Sequence, residues 1–390
     1  MFKNLWGKIL GKMKKPFNLF IQDLDGGQKN LSKRCLLYYK TDPFYRDLES
    51  LKIFHTNNQE IILMVNALNE MGYVVDVVDR EHKNFTPKNI YDLFIGCASG
   101  NSGKDYLKIA TKLRKAIKIL YCVSPEPSIS NSLVKERYDD LSLRKDIKID
   151  YMRMSKIPFD EFVKASDSIF LFGEKNQFCD KSYRDKYDLP IFNIVPSINK
   201  NVFFKDEWLI SRDKKKYLCF AGSGAICKGV DILIEAFESF PQLELHICSP
   251  EDDDMKVIKS LYKKNFKKNI FYHGFVKPGS SKFISLVNQC SFSILNSAAE
   301  GCCTSILTTM KSGLVPIVNH ECGIKLFSDL LKINSNKNRV QSTIEAIKII
   351  MNTEEDTYQE YVKNTLIESN KYSEDSFYIS FKESLKLFLE

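Results

Sequence analysis

The chain has 390 residues, of which 44% are hydrophobic, and this length and composition predict a globular protein with two domains. The formal net charge of +8 is modest for the length, and five lysines fall in the first twenty residues, so a general nucleic-acid-binding face is disfavoured. Eleven cysteines are scattered without a C-x-x-C pair, which argues against a zinc site or a disulfide framework and favours a reducing cytoplasm.

The first segment is basic and amphipathic. Residues 1–20 place apolar side chains on one helical face and lysines mostly elsewhere. Such a segment suits the surface of an anionic membrane, although it is too short and too charged to span a bilayer. Packing on the protein itself or on a partner is the alternative. Gly26 and Gly27 indicate a linker, so residues 1–32 are predicted to precede the first domain.

From residue 33 onward, short apolar runs alternate with helical segments, which predicts a parallel sheet covered by helices. A polar turn at residues 55–59 leads into a helix that starts at Glu60 and ends at Gly72. The turns at 55–59 and 98–103 follow strands, where open α/β sheets bind ligands. Strands are expected at residues 35–39, 51–54, 73–78, 93–97, 117–123, 168–172 and 191–195.

This pattern predicts a Rossmann-like N-terminal domain over residues 33–205, and its cleft would contain His55, Thr56, Asn57 and Asn58. Asparagines in turns also serve the turn itself, and a structural role for His55 is an open alternative.

The second half repeats the alternation and predicts a second Rossmann-like domain over residues 206–370. A helix over residues 371–390 is predicted to pack on either domain, including a return to the N-terminal one. The fold class is therefore α/β, with two parallel-sheet domains that face a cleft, the default place for a ligand. Strands are expected at residues 217–221, 243–248, 270–273, 291–296 and 315–318.

Residues 291–324 carry the sharpest change of pattern. A buried strand is followed by a small-residue turn with Glu300 and Gly301, and then by a helix that Gly313 ends. Amides and the helix dipole point out of such a turn, which makes it an anion site. A lone carboxylate is poorly suited to contact phosphate, so Glu300 is assigned to ligand hydroxyl groups. The pattern indicates a sugar nucleotide.

A second glycine-rich turn, at residues 222–229, follows the first strand of this domain. It is not a P-loop, because Lys228 precedes Gly229, and Cys227 stands where a dinucleotide fingerprint requires glycine. A glycine-rich turn with a lysine at the helix start suits a pyrophosphate held by amides and one point charge. A solvated Lys228 is the alternative.

Over about residues 217–324 these motifs resemble the donor domain of the GT-B glycosyltransferases, specifically the retaining glycosyltransferase family 4. The turns read GSGAICKG and EGCCTSILT, where the family has GR followed by KG, and EGFG with a second glutamate further on. The N-terminal half matches loosely, at residues 55–60 and 195–204. The matching positions are Gly222, Lys228, Gly229, Gly274, Glu300, Gly301, Gly313, Pro316 and Gly323.

The resemblance implies a retaining transferase that moves a sugar from a nucleoside diphosphate to a glycan or lipid-linked acceptor in cell-surface polysaccharide synthesis, at the cytoplasmic membrane face. It also implies that the leaving diphosphate takes the acceptor proton, so no metal, cofactor or protein nucleophile is required. The candidate catalytic residues are Lys228, Glu300 and His55. The implied donor-binding residues are Gly222, Ser223, Gly224, Lys228, Gly274, Phe275, Glu300, Gly301, Cys302, Cys303, Thr304 and Thr308.

Two departures from the family matter. Ser223 replaces an arginine, so either another cation compensates for the lost guanidinium or donor affinity is lower. Thr308 replaces the glutamate that holds the ribose, which leaves one hydroxyl for that contact. Both leave open a noncatalytic GT-B protein that binds a glycan or acts as a scaffold. A Rossmann-type oxidoreductase is disfavoured by Cys227 and by the lack of an acidic residue after the following strand.

Overall fold

The computed structural model describes residues 18–28, 31–46, 56–98, 103–334 and 338–390, without the side chain of Lys267. Nearly all of the amphipathic segment predicted at residues 1–20, the strand predicted at 51–54 and the candidate His55 therefore lie outside the described residues.

The N-terminal half forms one seven-stranded sheet. Its strands are β1 (Phe20–Leu24), β2 (Lys33–Tyr39), β3 (Tyr73–Asp79), β4 (Leu93–Cys97), β5 (Ile117–Cys122), β6 (Ser168–Phe172) and β7 (Ile191–Ile194). They lie in the order β1-β3-β2-β4-β5-β6-β7, and all neighbours are parallel except β1 and β3. Every residue of β4 and β6 is buried, as expected for central strands covered on both faces. Its helices are α1 (Asn57–Glu70), α2 (Tyr106–Lys112), α3 (Pro127–Lys145), α4 (Phe159–Lys164) and α5 (Phe178–Arg184).

The edge strand β1 shows that part of residues 1–32, which were predicted to precede the first domain, belongs to the N-terminal sheet. It pairs antiparallel with β3, and the Asp23 amide donates to the buried carboxylate of Asp76 at 2.9 Å. The Arg34 guanidinium joins both carboxylates, at 2.7 Å from Asp23 and 2.8 Å from Asp76. A short edge strand held by backbone pairing and by ion pairs lacks the apolar alternation that marks a half-buried strand in sequence.

The C-terminal half forms a six-stranded sheet in which all neighbours are parallel. Its strands are β8 (Asp213–Phe220), β9 (Glu244–Cys248), β10 (Ile270–Gly274), β11 (Cys290–Leu295), β12 (Val315–Asn319) and β13 (Lys332–Ile333), in the order β10-β9-β8-β11-β12-β13. The helices are α6 (Trp208–Ser211), α7 (Val230–Glu238), α8 (Asp253–Leu261), α9 (Ser281–Gln289), α10 (Thr304–Lys311), α11 (Arg339–Met351) and α12 (Glu355–Ser369).

The last helix, α13 (Glu374–Leu389), packs against α1 and β7 of the N-terminal sheet. The two parallel-sheet units and the α/β class that the sequence predicts are confirmed.

The strand order reverses once inside each sheet. In the C-terminal sheet, β8 lies between β9 and β11, so the chain leaves β8 toward one side and later returns on the other. The N-terminal sheet has the same reversal between β2 and β4. Ligands of open α/β sheets bind beyond the carboxyl ends of the strands at such a switch point. The fold therefore marks the turns that follow β8 and β11 as the place to look for a site.

Candidate functional site

The turns after β8 and β11 lie against each other. The Ala298 amide donates to the Cys227 carbonyl at 2.7 Å. Gly229 has a positive φ of 71°, and a Cβ there would come within 2.2 Å of the Asn296 carbonyl oxygen. Only glycine fits this position, because a side chain would meet both a strained backbone and a steric clash. The glycine at the end of GSGAICKG therefore allows the two predicted ligand turns to meet.

Lys228 and Glu300 form a direct ion pair at this junction. The Ser297 hydroxyl also donates to Glu300 Oε1, at 2.6 Å. The side chains of Lys228 and Glu300 are only 18% and 15% exposed. Burial acts to lower the pKa of Lys228, but the neighbouring Glu300 carboxylate and Cys303 more than offset it, so the pKa lies above its ordinary value. Lys228 is therefore a fixed positive charge across the physiological range.

The N-terminus of α10 supplies part of the predicted anion site. The amides of Glu300 and Cys303 donate to the carbonyls of Glu321 and Cys322, at 2.9 and 3.0 Å, and are already used. None of the hydrogen bonds among the described residues uses the amide of Thr304, the first residue of α10. The prediction that amides over residues 301–304 hold phosphate is therefore wrong for Cys303, and the first turn of the helix remains for that role.

The Gly222-Ser223-Gly224 turn differs from its prediction in a similar way. The Gly224 amide donates to Asp252 Oδ2 at 2.6 Å, and the other oxygen of Asp252 accepts from Met255 as the N-cap of α8. A carboxylate thus occupies an amide that was predicted to hold a pyrophosphate. The acidic run at residues 251–254, directly after β9, is the sequence signal for this contact.

Thr308 and the two cysteines beside Glu300 are buried. The Thr308 hydroxyl donates to the Thr304 carbonyl at 2.7 Å within α10, and the residue is 5% exposed. The single hydroxyl expected to contact a ribose is therefore bonded to its own helix. Cys302 and Cys303 are buried, and burial raises the pKa of the Cys302 thiol well above its ordinary value.

Gly274 and Phe275 lie apart from the Lys228–Glu300 pair. Gly274 is the last residue of β10 and Phe275 follows it, and β9 separates that strand from β8. The Phe275 side chain is 70% exposed at this edge. The structure therefore places these two predicted donor-binding residues beyond the same end of the sheet, but two strands away from the ion pair.

The N-terminal part of the predicted cleft is only partly described. Thr56 is buried ahead of α1, which begins at Asn57 rather than at Glu60. Asn58 Oδ1 accepts from Lys40 Nζ at 2.5 Å. A lysine thus holds one of the side chains that were predicted to lie in the N-terminal cleft.

Glu60 is a buried carboxyl that sequence reasoning did not select. The Ser197 hydroxyl donates to it at 2.7 Å, so it connects α1 with the segment that leads to the second half. Burial raises the pKa of Glu60 to about 7, although hydrogen bonds from the amide and hydroxyl of Ser197 act to lower it. A carboxyl among apolar residues near a helix start was the signal available in the sequence.

The two halves of the chain meet at these turns. A Cβ at Gly301 would come within 2.4 Å of the Val123 carbonyl at the end of β5, so the backbones are in direct contact there. Beside this contact lies a cavity of about 490 Å³, with residues 124–131, which include the start of α3, and the loop at 152–155 on one side, and residues 223–224 and 252–254 on the other. Lys228 and Glu300 are not among its lining residues.

None of the helices in the described ranges is long and apolar enough to cross a membrane. The same residues contain no group of three or more His, Cys, Asp or Glu side chains placed to hold a metal ion.

Residues 204–366 match the model of a protein family described as glycosyl transferases group 1. This range covers the whole second sheet with both predicted ligand turns. Comparison with curated proteins gives no match.

Solved structures show the fold of the whole chain. Alr3699/HepE from Anabaena, in complex with UDP and glucose, is 11% identical, with 91% of this chain and 100% of that one covered and a TM-score of 0.57. A glycosyltransferase from Rickettsia africae is 15% identical, with 92% and 99% covered and a TM-score of 0.57. At these identities the likeness establishes the shared two-domain GT-B fold.

A third similar structure is longer than this chain. The pneumococcal O-GlcNAc transferase GtfA, in complex with UDP and GlcNAc, is 14% identical and has a TM-score of 0.50. The match covers 76% of this chain but only 57% of GtfA, so the chain spans little more than half of that protein.

Proposed function

We propose that this protein, whose residues 204–366 form a domain of the glycosyl transferases group 1 family within a GT-B fold, transfers a sugar from a nucleoside diphosphate to a glycan or lipid-linked acceptor with retention of configuration. The observation that carries the proposal is the Lys228–Glu300 ion pair, with Ser297, at the switch point of the C-terminal sheet. A cation and a carboxylate held side by side suit a ligand that has a diphosphate at one end and sugar hydroxyls at the other.

In the proposed reaction the bond between the anomeric carbon and the diphosphate oxygen breaks. A bond from that carbon to the acceptor oxygen forms on the same face, and the acceptor proton passes to the departing diphosphate. Negative charge grows on the diphosphate, so a fixed cation such as Lys228 and the first-turn amides of α10 stabilise the transition state. Glu300, oriented by Lys228 and Ser297, holds the sugar hydroxyls.

The proposal assigns the donor to the half over residues 206–370 and the acceptor to the half over residues 33–205. The HepE and GtfA structures contain UDP, which makes UDP sugars the first donors to assay. No metal or cofactor is part of the proposed chemistry. The basic segment at residues 1–20 would hold the protein at the inner face of the cell membrane, where a lipid-linked acceptor for surface polysaccharide is found.

The test is transfer activity and donor hydrolysis with a panel of UDP, GDP and ADP sugars, in the full chain and in the Lys228→Met and Glu300→Gln variants. Each substitution removes one charge and keeps the side-chain length. Loss of one electrostatic donor to the transition state is expected to lower the rate by about 100- to 1,000-fold. Near-normal rates in both variants would refute the assignment of this site.

A matched control comes from an ion pair of the same domain far along the chain. Lys371 and Glu368 are paired at 2.6 Å on the surface of the C-terminal half. Lys371→Met and Glu368→Gln remove the same charges, and their rates should equal that of the unsubstituted protein. A similar fall in activity in the control pair would indicate a general loss of folding.

The second candidate is a noncatalytic GT-B protein that binds a glycan or acts as a scaffold. Two observations favour it: the Thr308 hydroxyl is bonded within its helix, and the Gly224 amide is bonded to Asp252. Titration of the protein with UDP, GDP and their sugars separates the two candidates. A transferase binds at least one of these compounds, whereas a scaffold without a donor site binds none.

A further inference from the structure

The cavity of about 490 Å³ between the two halves contains one cation from the N-terminal side, Arg153. Its volume is within the roughly 300–1,000 Å³ of ordinary ligand pockets. One wall is Ser223 and Gly224, the turn whose other end carries Lys228. A ligand in this cavity therefore reaches the glycine-rich turn and the loop at 152–155 at the same time.

Arg153 lies directly on the glycine-rich turn. A Cβ at Gly224 would come within 2.5 Å of Arg153 Nη1 and within 2.7 Å of its Cδ, which is closer than atoms can approach. The guanidinium therefore occupies the space that a side chain at 224 would need. Gly224 also has a positive φ of 90°, a backbone conformation that favours glycine.

The charge of Arg153 is available to a ligand. Among the residues that the structure describes, no carboxylate oxygen lies within 4.0 Å of its guanidinium nitrogens, so Arg153 forms no ion pair there. Its guanidinium also makes no side-chain hydrogen bond to these residues. It is nevertheless close to the ion-paired turn, because its positive charge acts to lower the pKa of both Lys228 and Asp254. Two cations thus flank the same turn, one from each half of the chain.

The acidic residues that border the cavity are already bonded. Asp252 accepts from the amides of Gly224 and Met255, and Asp254 accepts from the Tyr138 hydroxyl at 2.7 Å and from the Ile226 amide at 3.2 Å. Asp253 pairs with Lys256 at 2.8 Å. Arg153 contributes a planar guanidinium to the same lining, and such a group favours an anion with two oxygens in one plane, such as a phosphate.

We propose that Arg153, which belongs to the N-terminal half, supplies the guanidinium that binds the donor diphosphate at the Gly222-Ser223-Gly224 turn, in place of the side chain at position 223. This inference rests on the proposed function. It adds a residue, Arg153, that the proposed function does not require. Because Arg153 and Lys228 come from different halves, a diphosphate that bridges them also holds the two halves together. A mononucleoside without phosphate would not.

The experiment uses calorimetry to measure how tightly the full chain binds three nucleoside diphosphates and their nucleosides: UDP and uridine, GDP and guanosine, and ADP and adenosine. The pair whose diphosphate binds most tightly is then measured with the variants. Arg153→Met is expected to weaken the nucleoside diphosphate by about 10- to 100-fold, the effect of one charge-assisted hydrogen-bonding group. The affinity for the nucleoside should not change. Arg153→Met with Ser223→Arg should recover diphosphate binding, because it returns a guanidinium to the same turn.

Lys148→Ala is the matched control, because Lys148 is an exposed cation just upstream of Arg153 and does not line the cavity. It should leave both affinities unchanged. Arg153→Lys keeps the positive charge without the planar guanidinium and should bind the diphosphate with intermediate affinity. This variant also tests the inference if Arg153→Met folds poorly.

The outcomes separate this inference from the proposed function. If the unsubstituted protein binds none of the three diphosphates, the proposed function fails and the inference fails with it. If it binds one and Arg153→Met binds it equally well, or loses nucleoside affinity to the same extent, the inference alone is wrong. A tenfold or greater loss that is confined to the diphosphate, with recovery by Ser223→Arg, supports it.

Discussion

Two helices connect the halves of the molecule, and they do so by opposite means. Helix α3 extends from the N-terminal half onto the C-terminal half through charged and polar side chains. Helix α13 leaves the C-terminal half and packs on the N-terminal sheet through phenylalanines. The first contact is beside the candidate site, whereas the second lies across β7, so the difference bears on which contact can open when a substrate enters.

The α3 interface consists of side chains that each find a polar partner in the other half. Arg144 pairs with the fully buried Asp231 and with Glu235. Arg137, which is 1% exposed, donates to Asn296 at 3.2 Å, directly before the Glu300 turn. Burial lowers the pKa of Arg137 to about 10.

The α13 interface is aromatic. Phe381 is fully buried, with its ring 6.0 Å from that of Phe170 in β6. The Phe388 ring lies 5.7 Å from that of Phe192 in β7, and the two rings are tilted by 57°. Water can replace the partners of α3 if the halves separate, but it cannot replace these apolar contacts. We therefore expect the α13 interface to stay closed and the α3 interface to adjust around the site, and the variants below test this.

The largest expected effect follows from removing an aromatic ring at the α13 interface. Phe381→Ala deletes a fully buried ring and leaves a cavity, so the free energy of unfolding should fall by about 3–5 kcal/mol. Chemical denaturation measured by circular dichroism checks this. Ile379→Ala on the same helix is the control, since Ile379 is 52% exposed and its loss should have little effect. Equal effects at both positions would contradict an aromatic interface.

A smaller but still large effect is expected at the α3 interface. Arg144→Met leaves the buried carboxylate of Asp231 without its cation, and this should lower the free energy of unfolding by about 3 kcal/mol. Asp231→Asn in the same chain should recover part of the loss, because it removes the unpaired charge. The matched control is Asp140→Asn, since Asp140 is the more exposed partner of Arg144.

The same Arg144 variant tests whether the α3 interface opens. Small-angle scattering of Arg144→Met should show a larger radius of gyration than that of Phe381→Ala or of the unsubstituted protein. If the Phe381 variant expands and the Arg144 variant does not, the assignment of the mobile interface is reversed.

The fold could be predicted from sequence where strands are apolar and helices have an apolar face. The strand, turn and helix patterns around Lys228 and Glu300 placed both residues in neighbouring turns, and the structure brings them into an ion pair. The parallel sheets follow from the regular alternation. The same local signals are absent from β1, whose five residues are held by pairing with β3 and by the Arg34 ion pairs.

The rest depends on contacts between distant residues. The buried face of helix α3 consists of Val134, Arg137, Tyr138 and Leu141. Because an arginine interrupts the apolar residues, the sequence shows no continuous apolar stripe for this helix. Partners of its charged and polar residues lie 87 and 116 residues further along the chain. Arg153 gave no signal, because a loop arginine becomes significant only when the fold lays it on Gly224. The number of backbone amides free to bind a ligand was likewise overestimated. The sequence of the two turns does not reveal that one amide already donates to Asp252 and another to the Cys322 carbonyl.

The smallest effect is expected from an exposed ion pair that already lies at the aromatic α13 interface. Lys382 of α13 pairs with Glu70 of α1, and these side chains are 25% and 49% exposed. The hydrogen bond from Lys382 lowers the pKa of Glu70, so the pair stabilises the fold above the ordinary pKa of glutamate, and the contribution disappears as the pH falls below the lowered value. Lys382→Ala should lower the free energy of unfolding at neutral pH by only about 0.5 kcal/mol, and less at high salt, because solvent screens an exposed pair. A loss of stability as large as that of Arg144→Met would mean that burial does not distinguish the two interfaces. A small, salt-sensitive loss would mean that the α3 interface is stabilised mainly by the buried carboxylate of Asp231, and the α13 interface mainly by its aromatic rings.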